Sequence, residues 1–93
     1  MNKYEMLYIL STDLAEEERE ALVAKFESIV KDNGGEVEST DKWGVKKLAY
    51  AINYKTEGYY VLMTFSCAPT LIKEIDRVAG ITEGMMRRLI TKL

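Results

Sequence analysis

Apolar and polar positions along the chain follow two periods in turn, and each change of period marks an element. Tyr4–Leu10 is rich in Tyr, Leu and Ile with few polar interruptions, the composition of a buried or central strand. Ser11, Thr12 and Asp13 bring turn and N-cap chemistry. Leu22, Phe26, Ile29 and Val30 then recur at helical spacing, with Glu20, Glu27 and Lys31 on the other side. The spacing predicts a helix over Ala15–Asn33. Glu16, Glu17 and Glu18 sit in its first turn, where carboxylates suit the positive end of the helix dipole, and Gly34 and Gly35 close it.

From Glu36 to Ile52 the helical period is gone. Val37, Trp43, Val45, Leu48, Tyr50 and Ile52 predict one long strand, bent or bulged near Gly44. Asn53–Gly58 has turn composition, and Tyr59–Ser66 is dense in aromatic and β-prone residues. These two strands form a hairpin with a loop of about five residues. Ala68-Pro69-Thr70 breaks the pattern and opens a second helix. Leu71, Ile72, Ile75, Val78 and Ala79 line one side of it, and Gly80 is its expected end. A last strand covers Met85–Thr91.

The order is β-α-β-β-α-β. Right-handed crossovers bring its two βαβ halves into one four-stranded antiparallel sheet with both helices on one face. This is an α+β fold of the ferredoxin-like, split β-α-β type, expected as a single domain over residues 1–93. One face of the sheet is left for a partner. On the third strand, alternation separates Tyr59, Val61, Met63 and Phe65 from Tyr60, Leu62 and Thr64. The first set is assigned to the core and the second to the open face, although the pattern alone also allows the reverse.

Composition removes whole classes of chemistry. The chain has no histidine, which takes away the commonest general base and metal ligand. Its one cysteine, Cys67, has no Cys or His partner for zinc or Cys–His catalysis, and is read as a small buried residue at a strand end. Gly34-Gly35 lacks the Lys and Ser/Thr of a phosphate-binding loop. Glu16, Glu17 and Glu18 point in different directions around a helix and form a solvated face. No catalytic residue, metal site or cofactor is expected, and no small-molecule substrate. The apolar runs are far below the roughly 18 residues needed to cross a bilayer, and the first residues do not read as a signal peptide. The expectation is a soluble cytoplasmic protein with no membrane partner.

Charge at first argues against nucleic acid, with a net of -2 and a pI near 5.2. Its distribution changes the picture. Residues 1–40 carry four Lys/Arg and ten Asp/Glu, a net of -6, whereas residues 41–93 carry nine and five, a net of +4. Such asymmetry suits a surface facing a polyanion. Two basic clusters lie in the second half: Lys42, Lys46 and Lys47, and then Arg87 and Arg88 with Lys92 beyond. Lys and Arg supply phosphate contacts that position RNA without reading its sequence. Trp43 lies between Lys42 and Lys46, and Tyr50 follows; such rings stack on bases, anchor a protein interface or join a core. The stretch Glu57–Met63 lacks the basic residue and the small residue of the RRM signature, so an RRM-type stacking platform is not expected.

The segment W-G-V-K-K-L-A-Y-A-I, Trp43 to Ile52, resembles the signature of the bacterial ribosomal protein S-six family of the small subunit. It matches in Trp43-Gly44, Lys46-Lys47, Leu48-Ala49-Tyr50 and Ile52. Tyr4-Glu5-Met6, Gly58-Tyr59-Tyr60 and Met86-Arg87-Arg88-Leu89 are similar to flanking family motifs. Lys42 stands where members usually have an acid, with Asp41 one place earlier, and Ala51 stands where many have proline. The resemblance implies a ferredoxin-like structural component of the small (30S) ribosomal subunit. It implies binding to the central domain of 16S rRNA together with ribosomal protein S-eighteen, a basic partner that would account for the acidic pI.

On this reading the RNA-binding candidates are Lys46, Lys47, Arg87 and Arg88, with Lys3 and Lys42 nearby. The candidates for the protein partner are Trp43, Tyr60 and Leu62. Leu48 and Ile52 are assigned to the fold. A small-molecule regulatory module and a small enzyme are the alternatives on the same fold, the second weakened by the missing histidine and the absence of a carboxylate pair.

Overall fold

The computed structural model describes residues 2–52 and 55–93, with the side chains of 49, 50 and 52 outside that description. Its elements are β1 (Asn2–Leu10), α1 (Glu16–Asp32), β2 (Glu36–Ile52), β3 (Lys55–Cys67), α2 (Pro69–Ile81) and β4 (Met85–Lys92). The sheet order is β2-β3-β1-β4, and every neighbouring pair is antiparallel. The expected β-α-β-β-α-β plan is the observed one.

Local chemistry sets the helix ends. The Glu18 carboxylate accepts the Ala15 N–H at 3.2 Å, satisfying a donor that the start of α1 leaves unpaired. At the other end Gly34 N–H donates to the Lys31 carbonyl and Gly35 N–H to the Val30 carbonyl, the paired bonds of a Schellman ending. Pro69 opens α2, where a missing N–H costs nothing. The helix does not stop at Gly80 as its sequence suggests. It runs to Ile81, because Ala79 is buried and the next residue supplies the stop: the Thr82 hydroxyl donates to the Val78 carbonyl at 2.5 Å.

The core lies between the helices and one face of the two central strands. Tyr4, Met6, Tyr8 and Leu10 of β1 face Val61, Met63, Phe65 and Cys67 of β3, and Tyr59 packs at the margin. Val23, Phe26 and Val30 close it from α1, and Leu71, Ile75, Val78 and Ala79 from α2. Leu22, Ile29 and Ile72 are partly buried beside them. The rings of Tyr4 and Phe65 stack at 5.9 Å, and those of Tyr8 and Phe26 tilt at 5.5 Å. The face assignment on β3 is therefore the one expected. Cys67 is fully buried, and burial pushes its thiol pKa up, which suits an inert packing residue.

The hairpin differs from its expectation. β3 begins at Lys55, not Tyr59, and Ile52 pairs with Lys55, so the loop of about five residues is replaced by a longer ribbon. Lys55–Glu57 is polar and mostly exposed, so it shows none of the apolar alternation that marks a half-buried strand. The turn expected at residues 53 and 54 and the side chains of Tyr50 and Ile52 lie outside the described residues.

Tyr8 carries a penalty within this core. Its hydroxyl is buried and has no hydrogen-bond partner among the described residues. Burial, reinforced by the nearby carboxylate of Glu27, pushes its pKa above the ordinary tyrosine value. A folded-state pKa raised this way gives a contribution that is whole below about pH 10 and is lost as pH rises beyond it. Tyr8→Phe is expected to leave stability unchanged or raise it by about 1 kcal/mol in urea unfolding, and to soften the loss of stability above about pH 10.

Candidate nucleic-acid and partner interface

The sheet face away from the helices is built by the other half of the alternation. On β1 these positions are Lys3, Glu5, Leu7 and Ile9, and on β3 Tyr60, Leu62, Thr64 and Ser66. Leu62 lies across from Leu7, and Leu7 across from Leu89 of β4, so an apolar row crosses three strands. The next row places Tyr60 across from Ile9 and Ile9 across from Arg87. Central strands apolar on both faces are the mark of a sheet covered twice. Here the helices cover one side only, and Leu89 is 61% exposed on the other.

A β-bulge places Trp43 on this face. Lys42 pairs with Val61 and Gly44 with Tyr60, leaving Trp43 as the extra residue. Gly44 has φ +84°, a conformation that favours glycine. The bulge turns the indole onto Tyr60, with ring centroids 6.3 Å apart and planes at 11°. Trp43 remains 43% exposed. The Lys46 ammonium sits 5.7 Å from the indole centroid, a cation–π contact at the rim.

The six basic candidates do not share one surface. Lys3, Lys46 and Arg87 occupy open-face positions, together with the acids Glu5 and Asp41. Lys3 is also held by Glu38 at 2.9 Å. Lys47 is exposed on the hairpin, paired across the ribbon with Glu57. Lys42 and Arg88 lie on the helix side, opposite Val61 and Tyr8. Lys42 reaches Glu20 of α1 at 2.5 Å, and that hydrogen bond holds its ammonium pKa above the ordinary lysine value. Arg88 reaches Asp76 of α2 at 2.8 Å. Adjacent letters in a strand point to opposite faces, so the pair Arg87-Arg88 is split by the geometry that makes it a strand.

The partner candidates do come together: Trp43, Tyr60 and Leu62 are contiguous on the open face. Leu7, Ile9 and Leu89 belong to the same surface and were not singled out from the sequence. The signal for them is the continuous apolar run of β1, which leaves residues for a second face once Met6 and Tyr8 are assigned to the core. Among the described residues no group of three or more His, Cys, Asp or Glu is placed to hold a metal, and no helix is long and apolar enough to cross a membrane.

The family model described as Ribosomal protein S6 matches residues 3–92. The chain belongs to the ribosomal protein S6 family. It is 48% identical over 92 residues to small ribosomal subunit protein bS6 of Caldanaerobacter subterraneus subsp. tengcongensis, covering 99% of this chain and 97% of that one. It is 49% identical, with the same coverage, to the bS6 protein of Thermoanaerobacter pseudethanolicus. The crystal structure of 30S ribosomal protein S6 from Thermotoga maritima is similar with a TM-score of 0.94 at 27% identity, covering 99% of this chain and 87% of that one. Family membership makes the chain a structural, non-catalytic component of the small ribosomal subunit and a partner of rRNA.

Stacked aromatic pairs contribute beyond the area they bury. A double-mutant cycle on Trp43→Ala and Tyr60→Ala, read by urea unfolding, is expected to give a coupling of about 0.5–1.5 kcal/mol. A coupling near zero would mean that the two rings are not held against one another in solution.

Proposed function

We propose that this small-subunit protein binds the central domain of 16S rRNA together with ribosomal protein S-eighteen, on cytoplasmic ribosomes. The observation that carries the reading is the open sheet face, where an apolar row and the Trp43–Tyr60 stack meet Lys46 at the rim. Apolar and aromatic side chains at the centre of a patch with charge at its edge form the usual anatomy of a protein interface. Trp43, Tyr60 and Leu62 are the proposed anchors for the protein partner.

The proposed phosphate contacts divide by geometry. Lys46 and Lys47 stand on the projecting part of the hairpin, and Arg87 and Lys3 on the open face. Lys42 and Arg88 approach RNA from the helix side and exchange Glu20 and Asp76 for phosphate. Exposed ion pairs of that kind contribute little, so the exchange is nearly free. The overall acidity fits a protein that shares RNA contact with a basic partner, because the acids cluster in residues 1–40 and leave the later strands positive.

Each phosphate contact releases counterions, so its loss flattens the salt dependence of binding. Lys46→Ala with Lys47→Ala is expected to weaken binding to an rRNA–partner complex and to lower the slope of log K against log salt by about 0.7–0.9 per contact removed. Filter binding across a salt series measures both. An unchanged slope would exclude these two lysines as phosphate contacts.

A further inference from the structure

Beyond β1 the sheet narrows to two strands. The last residue of β1, Leu10, pairs with Tyr59, so Lys55–Gly58 pairs only with β2. An isolated two-stranded ribbon is marginal in water. Yet this arm carries Lys46 and Lys47, and Trp43 lies at its base.

Among the described residues, two buried apolar side chains lie outside the main core: Ile9, 6% exposed, and Leu48, 9% exposed. Both meet at Gly58. A Cβ placed on Gly58 would collide with Ile9 Cγ2 and would stand 3.4 Å from Leu48 Cδ2. Gly58 is thus the floor of a small apolar seat on the open face, with Ile9 as one wall and Leu48 as the other. Gly58 has an ordinary backbone conformation, so the close approach of these side chains is what calls for glycine.

We propose that Gly58 is a positioning residue that seats the β2–β3 arm on Ile9 and thereby fixes where Lys46 and Lys47 stand during assembly. Leu48 closes over Gly58 from the arm, and Ile9 receives it from the sheet. The Lys55–Asp13 ion pair ties the arm to the β1–α1 loop on the other side. An added methyl lifts the arm off Ile9 without touching the helix-covered core, since none of the three residues belongs to that core. The functional half of the inference rests on the reading of Lys46 and Lys47 given above, whereas the structural half stands without it.

The test compares Gly58→Ala, Ile9→Ala, Gly58→Ala with Ile9→Ala, and Lys46→Ala with Lys47→Ala in the full chain. Amide hydrogen exchange is read at 46–48 and 55–58, against core amides at 61–65. Gly58→Ala is expected to speed arm exchange by about tenfold or more while the core amides hold, the usual scale of local overpacking. Removing the Ile9 side chain makes room for the new methyl and returns arm protection toward wild type, which general destabilisation would not do. Binding to small subunits stripped of this protein falls for Gly58→Ala, and the double variant is read against Ile9→Ala alone, because Ile9 also lies on the partner face: it is expected to bind as Ile9→Ala does, with no added loss from the methyl. Unchanged arm exchange in Gly58→Ala, or no recovery on adding Ile9→Ala, would overturn the seat. If the arm loosens and recovers as expected but Gly58→Ala binds as wild type, or the methyl costs as much binding with Ile9→Ala as without it, the assembly role is overturned. The lysine variant separates the two readings: its arm exchange stays at the wild-type value, so its binding reports on phosphate contact alone.

Discussion

Both helices must lie on one side of the sheet, because each is a right-handed crossover between parallel-running strands separated by a third. That constraint decides every later feature. It gives β1 and β3 one covered face, filled by Tyr8, Met63, Phe65 and their neighbours, and one face with no helix to cover it. The central strands nevertheless carry apolar residues on both faces. Leu7, Leu62 and Leu89 form a row that the chain's own helices cannot reach. A sheet built this way is half a sandwich, and the proposed partner would supply its other half.

The same alternation sorts the charges. Arg87 and Arg88 are neighbours in sequence and lie on opposite faces, the second held by Asp76. Lys42 and Lys46 are separated by the bulge at Gly44; one is tied to α1 through Glu20 and the other lies over Trp43. The helix-side cations Lys42 and Arg88 stitch the sheet to its cover, whereas Lys46 lies over the Trp43 ring on the open face, where the proposed partner would meet it. A family member with an acidic pI can therefore still present a basic rim, since its acids concentrate on α1 and the loop before it.

Much of this was legible in the letters. The helical spacing of Leu22, Phe26 and Val30 and the alternation from Tyr59 to Phe65 marked α1 and β3 and separated the two faces of the sheet, because period and burial are directly coupled, while the pattern alone allowed either face to be the covered one. The bend at Gly44 was legible because a glycine within a strand marks a bulge. Four things were not. Gly80 read as a helix stop, and the burial of Ala79 with the Thr82 hydroxyl bond carried α2 past it. Lys55–Gly58 read as turn, because a ribbon exposed to water shows no apolar period. The partners of Lys42 and Arg88 are 22 and 12 residues away, distances that only the fold closes. The seat at Gly58 was hidden for the same reason, since Ile9 and Leu48 come from distant strands.

The central claim is that the protein partner docks on the open sheet face and that the outer surface of α1 is left outside. Carbene footprinting of the protein, free and within small ribosomal subunits, tests this directly. The account predicts that Trp43, Tyr60, Leu62 and Leu89 lose labelling on assembly while exposed α1 positions such as Glu17, Ala21, Ala24 and Ser28 keep it. Protection of the α1 positions with labelling retained across the sheet would contradict it.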